Sequence, residues 1–186
     1  MILARTRMAS RLVLIGGTSH VGKSTLAREL GRRLGGTVLS TDHLGRHPGR
    51  PWGPAAARPH VVDYYTRLTT QEQLVDVLRH YRDVIWPAVL SAAGSASGLL
   101  ILEGSALLPE LVETLEPGRE AFWMVEPDDV LSARIRDGSG YEDQDARGRA
   151  LVDSFVARTL AYQTWLQRSL AERGLRPGVP PALKVP

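Results

Sequence analysis

The sequence predicts an α/β protein in which helices cover both faces of a parallel β-sheet, a three-layer α/β/α arrangement. Four short apolar runs, at 11–15, 37–40, 99–102 and 121–125, are separated by segments with helical periodicity. Strands that alternate with helices form parallel sheets with right-handed crossovers. Each run also ends in glycine or in residues with side-chain oxygens. Because ligands bind beyond the carboxyl ends of parallel strands, we expect a functional site at that edge.

Composition indicates one soluble globular domain over residues 1–186, with 43% hydrophobic and 23% charged residues. No apolar run approaches the roughly 18 residues of a membrane span. Residues 1–10 include arginines, but they are not followed by the apolar segment of a signal peptide, so no signal peptide is predicted there. The chain has no cysteine, which excludes disulfides and cysteine nucleophiles. We therefore expect a cytoplasmic protein, a monomer or a homodimer, that has no membrane partner.

Lysine is almost absent from the chain, which has 21 arginines but only Lys23 and Lys184. A retained lysine is more informative in such a chain, because a compact ammonium and a planar guanidinium do not replace each other at a tight site. The net charge is only +3 and the basic residues are dispersed, so no nucleic-acid partner is expected.

A phosphate-binding loop is predicted directly after the first apolar run. Residues 17–24 read G-x-x-x-x-G-K-S, the Walker A pattern, and a helical segment follows until Gly35. In this context backbone N–H groups and the helix N-terminus bind phosphates, Lys23 reaches the β- and γ-phosphates, and the Ser24 hydroxyl holds Mg²⁺. His20 occupies a variable position, where its backbone matters more than its ring. The residues expected to contact the nucleotide are Gly17, Thr18, Ser19, His20, Val21, Gly22, Lys23, Ser24 and Thr25.

Two carboxylates follow other strands of the predicted sheet. Glu103 ends the run 99–102 in the manner of a Walker B residue, where it orients Mg²⁺, polarises a water or acceptor hydroxyl, or only caps a loop. Asp42 lies 19 positions after Lys23, at the end of the next strand. It is expected to hold or deprotonate the acceptor hydroxyl; the alternative is that Thr41 or Asp42 is the N-cap of a short helix.

These motifs together resemble the P-loop small-molecule kinases: the glycine loop, Ser-Thr-Asp at 40–42, and Leu-Glu-Gly at 102–104 followed by Leu108-Pro109. The detailed sequence of these motifs is most similar to the 2-phosphoglycerate kinase-like branch, and less similar to gluconate, shikimate and nucleoside kinases. The resemblance implies a P-loop NTPase fold with a five-stranded parallel sheet and a helical lid, and ATP with Mg²⁺ as cofactors. A short fifth strand is predicted at 182–185. The acceptor is not identified by these motifs.

An acceptor region is predicted over about 43–95, beginning with a loop at 43–60 that is rich in proline, glycine, arginine and histidine. Arg46 and Arg50 are suited to bidentate binding of a carboxylate or phosphate, or else they are solvated. Trp52 either stacks on a ring of the acceptor or anchors the loop. The residues expected to contact the acceptor are Asp42, Arg46, Arg50, Trp52 and Glu103.

A lid is predicted over about 128–149. Its arginines Arg134 and Arg136 are candidates to neutralise charge in the transition state. Two residues apart on a helix, they point to different faces, so at most one of them is expected to act, and Arg147 competes with both. The predicted catalytic residues are therefore Lys23, Asp42 and one of these arginines.

The sequence predicts an ATP-dependent phosphotransferase that acts on a hydroxyl or phosphate of a small, anionic metabolite. The alternatives are a nucleoside or nucleotide kinase, for which Trp52, Tyr64 and Tyr65 supply aromatic side chains, and an antibiotic phosphotransferase. A non-enzymatic alternative is a nucleotide-binding switch, although the chain has no Asn-Lys-x-Asp motif for guanine.

Overall fold

The computed structural model describes residues 11–45, 47–53, 58–115 and 119–180 of the 186-residue chain. Its strands are β1 (Arg11–Gly17), β2 (Thr37–Ser40), β3 (Leu99–Glu103) and β4 (Arg119–Met124). Its helices are α1 (Lys23–Leu34), α2 (Pro59–Arg67), α3 (Thr70–His80), α4 (Trp86–Ser95), α5 (Pro109–Val112), α6 (Asp128–Ser139) and α7 (Ala146–Glu172). The predicted alternation of strands and helices is confirmed.

The strands form one parallel sheet in the order β2-β3-β1-β4. Glu103, the last residue of β3, is in register with Ile15 of β1 on one side and with Ser40 of β2 on the other. The carboxyl ends of these three strands therefore meet at one edge of the sheet, and the loops that follow them begin side by side.

Helices cover both faces of the sheet. Alternate residues of the central strands point to opposite faces, so each face presents apolar side chains against which helices pack. Val13 and Ile15 of β1 pack with Leu30 of α1 on one face. Leu14 of the same strand packs on the other face, in a larger cluster to which α3, α4 and α7 contribute. A third cluster joins α2, α6 and α7, away from the sheet. The three layers follow from this alternation.

The described residues contain four strands, not the five predicted. The segment predicted as the fifth strand, 182–185, lies outside the described residues. The chain that leads to it returns to the edge strand β4, where the Gly178 amide donates to the Trp123 carbonyl at 2.9 Å. Pro177 and Pro180 on either side have no N–H, so a regular ladder does not extend along 175–180.

Local signals place the helices that follow the acceptor loop. The sequence Thr70-Gln71-Glu72-Gln73 has the spacing of a capping box, but the structure places the box one residue earlier: Thr69 is the N-cap of α3, and its side chain and that of Glu72 each accept from the other's backbone amide. Pro87 lies in the first turn of α4, directly after a π-helical turn at Tyr81–Ile85. None of the helices in the described ranges is long and apolar enough to cross a membrane.

Candidate active site

The loop between β1 and α1 has a backbone conformation that its glycines permit. Gly17 has φ +132° and Gly22 has φ +93°, values that side chains with a Cβ rarely adopt. A Cβ on Gly17 would also overlap the Met124 carbonyl of β4. His20 has φ +64°, alone among the non-glycine residues that the structure describes. Gly22 caps α1 without a side-chain acceptor; the amides of Thr25 and Leu26 donate to the Gly22 carbonyl, so the amides of Lys23 and Ser24 are the ones available to a ligand.

Lys23 is enclosed by this loop, with only 8% of its surface exposed. Its ammonium donates to the Thr18 carbonyl at 2.6 Å. Burial lowers the pKa of Lys23, and Arg50 lowers it further, whereas the nearby carboxylates of Glu103 and Asp42 oppose the shift. A buried cation with a single backbone acceptor is well suited to receive a phosphate oxygen.

Ser24 and Glu103 are neighbours, as the register of the sheet requires. The Ser24 hydroxyl donates to Glu103 Oε1 at 3.0 Å, and Glu103 is 5% exposed. The next residue, Gly104, has φ +150°, and a Cβ there would overlap the hydroxyl of Thr41. The Leu-Glu-Gly and Ser-Thr-Asp motifs therefore pack against each other. Two oxygen donors beside the loop are the chemistry that Mg²⁺ prefers.

Asp42 follows Ser40 in a single 3-10 turn at Thr41–His43. Ser40 is the N-cap of this turn, because its hydroxyl accepts from the Asp42 amide at 3.3 Å. The Asp42 carboxylate is thus not used as a cap, and it makes no hydrogen bond or ion pair within the described part of the chain. It is exposed and lines the same cleft as Lys23.

The cleft has a volume of about 1080 Å³ and extends from the phosphate loop to the acceptor loop. Arg50 and Trp52 both line it, and the Arg50 guanidinium lies 6.0 Å from the centre of the Trp52 ring. Trp52 packs edge-on against Phe155 of α7, with ring centres 4.9 Å apart. Arg46, which was expected to assist Arg50, lies outside the described residues.

Two contacts hold the acceptor loop against the helices below it. The Tyr65 hydroxyl donates to the Gly49 carbonyl at 2.8 Å. His47 Nε2 lies 2.8 Å from Asp76 Oδ2 of α3. Burial lowers the pKa of His47, and His80 and Arg158 lower it further, whereas Asp76 opposes the shift. These contacts fix the described part of the loop, and the hydroxyl of Tyr65 is occupied by it.

Arg158 of α7 is a residue of the cleft that the sequence motifs did not reveal. Its guanidinium lies 4.8 Å from the centre of the Phe155 ring and 5.5 Å from that of Tyr65. Its Nη1 is buried without a hydrogen-bond partner, and no carboxylate in the described ranges forms an ion pair with it. One signal was present in the sequence: Arg158 follows Phe155 by three residues and precedes Tyr162 by four, so it falls on the apolar face of the helix.

The two predicted lid arginines point to different parts of the molecule. Arg134 Nη1 donates to the His20 carbonyl of the phosphate loop at 3.3 Å and to Glu126 Oε1 at 3.0 Å. Arg136 instead binds Asp153 of α7 at 3.1 Å and lies over the Tyr141 ring. In this structure Arg134 is next to the loop and Arg136 is not.

The cleft is electropositive around the phosphate loop. His20 shows this most clearly: its pKa is lowered from 6.5 to about 4 by burial first, and then by Arg50, Lys23 and Arg134. An imidazole in this position stays neutral near pH 7, so the surrounding cations are available to an anionic ligand.

A parallel sheet whose first strand leads through a Walker A loop into a helix is the architecture of P-loop proteins. Solved structures with a similar fold are P-loop small-molecule kinases, the class that the motifs resemble. A gluconokinase from Sinorhizobium meliloti 1021 is 15% identical with a TM-score of 0.45, and the match covers 88% of this chain and 97% of that one. A shikimate kinase from Bacteroides thetaiotaomicron is 14% identical with a TM-score of 0.48, over 86% and 82% of the two chains.

A deoxyadenosine kinase from M. mycoides with bound dATP is 15% identical with a TM-score of 0.49, over 94% of this chain and 93% of that one. No family model matches the chain, and no curated protein matches it.

Proposed function

We propose that this protein is a P-loop kinase that transfers the γ-phosphate of MgATP to a hydroxyl, or a phosphate, of a small anionic metabolite. The observation that carries the proposal is the convergence of three motifs on one cleft: Lys23 in the Walker A loop, Ser24 bonded to Glu103, and a free Asp42 carboxylate. Each would have a separate role in phosphoryl transfer: Lys23 toward the phosphates, Ser24 with Glu103 toward Mg²⁺, and Asp42 toward the acceptor.

The nucleotide would occupy the phosphate loop. The unpaired amides at the start of α1 would bind its phosphates, and Lys23 would exchange the Thr18 carbonyl for a phosphate oxygen. Ser24 and Glu103 would hold Mg²⁺, which neutralises charge on the phosphates when it is bound. Arg134, next to the His20 carbonyl, is the lid arginine better placed to approach the γ-phosphate.

The acceptor would enter from the side of Asp42. The hydroxyl oxygen of the acceptor would form the new bond to the γ-phosphorus, and the hydroxyl proton would pass to the Asp42 carboxylate. The bond between the γ-phosphorus and the bridging oxygen breaks, and ADP leaves with that electron pair. Positioning and charge neutralisation supply most of the rate in such reactions, so Asp42 would contribute mainly by orienting the acceptor hydroxyl.

An anionic acceptor is favoured by the charges on this side of the cleft. Arg50 lines it without an acidic partner in the described residues, and so does Arg158, whose Nη1 is buried without a hydrogen-bond partner. A partly buried guanidinium that lacks a counter-charge is costly, and a bound carboxylate or phosphate would offset that cost. A nucleoside acceptor is the second candidate, because the Trp52 ring also faces this space and offers a surface for a base.

The test is the transfer of labelled γ-phosphate from MgATP to pools of sugar acids, phosphoglycerates, nucleosides and hydroxylated antibiotics. Lys23→Ala is the blank, and Arg168→Ala, which removes an exposed cation elsewhere on α7, is the matched control. We expect a labelled product in one acidic pool, made by the wild type and by the control but not by Lys23→Ala. MgATP binding with slow hydrolysis that no pool alters would contradict the kinase proposal and favour a nucleotide-binding switch.

A further inference from the structure

The phosphate loop and helix α7 meet along a small buried contact between the two halves of the cleft. The Thr18 hydroxyl donates to the Thr159 carbonyl at 3.3 Å, and these two side chains are 3% and 2% exposed. Next to this contact, one turn earlier on α7, the Phe155 ring lies edge-on to the His20 ring, with the ring centres 6.2 Å apart. We call these four residues, Thr18, His20, Phe155 and Thr159, the loop–α7 seam.

Each side of the seam is attached to a cation of the cleft. On the loop side, the carbonyl of Thr18 accepts the ammonium of Lys23 at 2.6 Å. On the helix side, Thr159 directly follows Arg158, and the Phe155 ring lies 4.8 Å from the Arg158 guanidinium. A continuous path of contacts thus joins Lys23, at the nucleotide end, to Arg158, at the acceptor end.

The contact at the nucleotide end cannot persist unchanged when a nucleotide binds. A phosphate oxygen competes with the Thr18 carbonyl for Lys23, and a charge-assisted bond to phosphate is roughly twice as strong as one to a neutral group. Thr18 then loses the bond that its carbonyl makes while its hydroxyl still holds α7. Because α7 is one helix over Ala146–Glu172, a displacement at Thr159 is carried to the adjacent Arg158.

We propose that the loop–α7 seam couples the two binding events, so that occupancy of the phosphate loop positions Arg158 for the acceptor. The inference rests on the proposed function, since it assigns the two ends of the cleft to nucleotide and acceptor. Coupling of this kind is reciprocal: acceptor binding tightens nucleotide binding by the same factor. Thr18 is in this view a positioning residue, which acts on the acceptor through α7.

Backbone hydrogen exchange tests the coupling without knowledge of the acceptor. Exchange of the amides over residues 155–166 is measured by mass spectrometry in the full chain, with and without MgADP. The affinity of each variant for MgADP is first measured by calorimetry, so that every variant is compared at a saturating concentration. Thr18→Val keeps the side-chain shape but removes the donor. Thr66→Val is the matched control, because its hydroxyl bonds only the Val62 carbonyl on the exposed side of α2.

In the wild type and in Thr66→Val, we expect MgADP to change exchange in this segment by about fivefold, at the low end of typical coupling energies. In Thr18→Val, bound to MgADP, the change should fall to less than about a third of the wild-type value. Phe155→Leu removes the ring contact of the seam and should reduce the change in the same direction. It provides the test if Thr18→Val does not bind MgADP.

The possible failures are distinguishable. A wild type that does not bind MgADP in calorimetry refutes the nucleotide site, and with it both proposals. MgADP binding that leaves α7 exchange unaltered, or that alters it equally in all variants, refutes the coupling and leaves the kinase proposal intact. Once the panel identifies an acceptor, its Kd is measured without and with MgADP. The ratio of the first Kd to the second should exceed one in the wild type and be close to one in Thr18→Val. Equal ratios in the two proteins would also refute the coupling.

Discussion

The neutral His20 imidazole gives the protein a pH-dependent stability that can be calculated. The pKa of His20 is lowered from 6.5 to about 4 by burial, Arg50, Lys23 and Arg134. As the pH decreases, His20 is therefore protonated near pH 6.5 in the unfolded chain but only near pH 4 in the folded chain. Stability is unaffected above pH 7, and it falls as the pH decreases through this interval.

The size of the effect follows from the two pKa values. One pKa unit corresponds to about 1.4 kcal/mol, so the unscreened difference would be about 3 kcal/mol; because the ring is partly exposed and solvent screens the nearby cations, we expect about 1 kcal/mol to be lost between pH 7.5 and pH 5. The assay is urea unfolding of the wild type and of His20→Asn at both pH values. Asparagine adopts the left-handed conformation required at φ +64° and has no charge to gain.

His20→Asn loses the ring contacts with Trp52 and Phe155, so its stability at pH 7.5 is lower than that of the wild type. The informative quantity is the loss of stability on acidification, which should be about 1 kcal/mol smaller in the variant. His47 and His80 titrate in both proteins, and their contributions cancel in this comparison. Equal losses in the two proteins would refute the assignment of a depressed pKa to His20, and with it the description of an electropositive loop.

Three further substitutions probe the cleft and the packing beneath it. Asp42→Asn should lower turnover by about 100-fold or more with little change in MgATP affinity measured by calorimetry, and unchanged turnover would exclude Asp42 as the base. Arg158→Met should raise the acceptor KM by about tenfold or more, while Arg168→Met on the exposed side of the same helix leaves it alone. Gly104→Ala should cost about 1–3 kcal/mol in urea unfolding, and Thr41→Ala in the same chain should recover part of that loss, since the new Cβ overlaps the Thr41 hydroxyl.

The parts of the site that lie on the sheet edge could be predicted from the sequence because their geometry is local. Walker A spacing fixes Lys23 and Ser24 on one turn of helix, and a parallel sheet aligns the ends of its strands. Glu103 therefore had to fall near Ser24, and the 3.0 Å bond between them follows from the register of β1 and β3. The spacing of Arg134 and Arg136 likewise predicted that they diverge, as their separate partners show.

The parts contributed by helix packing could not be predicted in this way. Arg158 reaches the cleft because α7 packs across α2 through Phe155, and no local pattern encodes that approach. A fifth strand is predicted at 182–185, which lies outside the described residues, and Pro177 and Pro180 have no amide N–H in the segment that leads to it. The loop at 43–60 is predicted from its composition, whereas the position of its described part depends on single long-range bonds such as that of Tyr65 to Gly49.

The distribution of charge in the cleft argues for the acceptor class more strongly than any single residue. In the proposed complex MgATP carries a net charge of about −2 and faces Lys23 and Arg134, although Arg134 also pairs with Glu126. Arg50 and Arg158 line the other side of the cleft, where Asp42 supplies one negative charge that its proposed role as base requires to be free. A neutral acceptor would leave these two guanidiniums without a counter-charge, whereas an acceptor with a carboxylate or phosphate on the side facing α7 would supply one. Among the pools proposed above, the acidic metabolites should accordingly react faster than the nucleosides, and this preference should disappear in Arg158→Met.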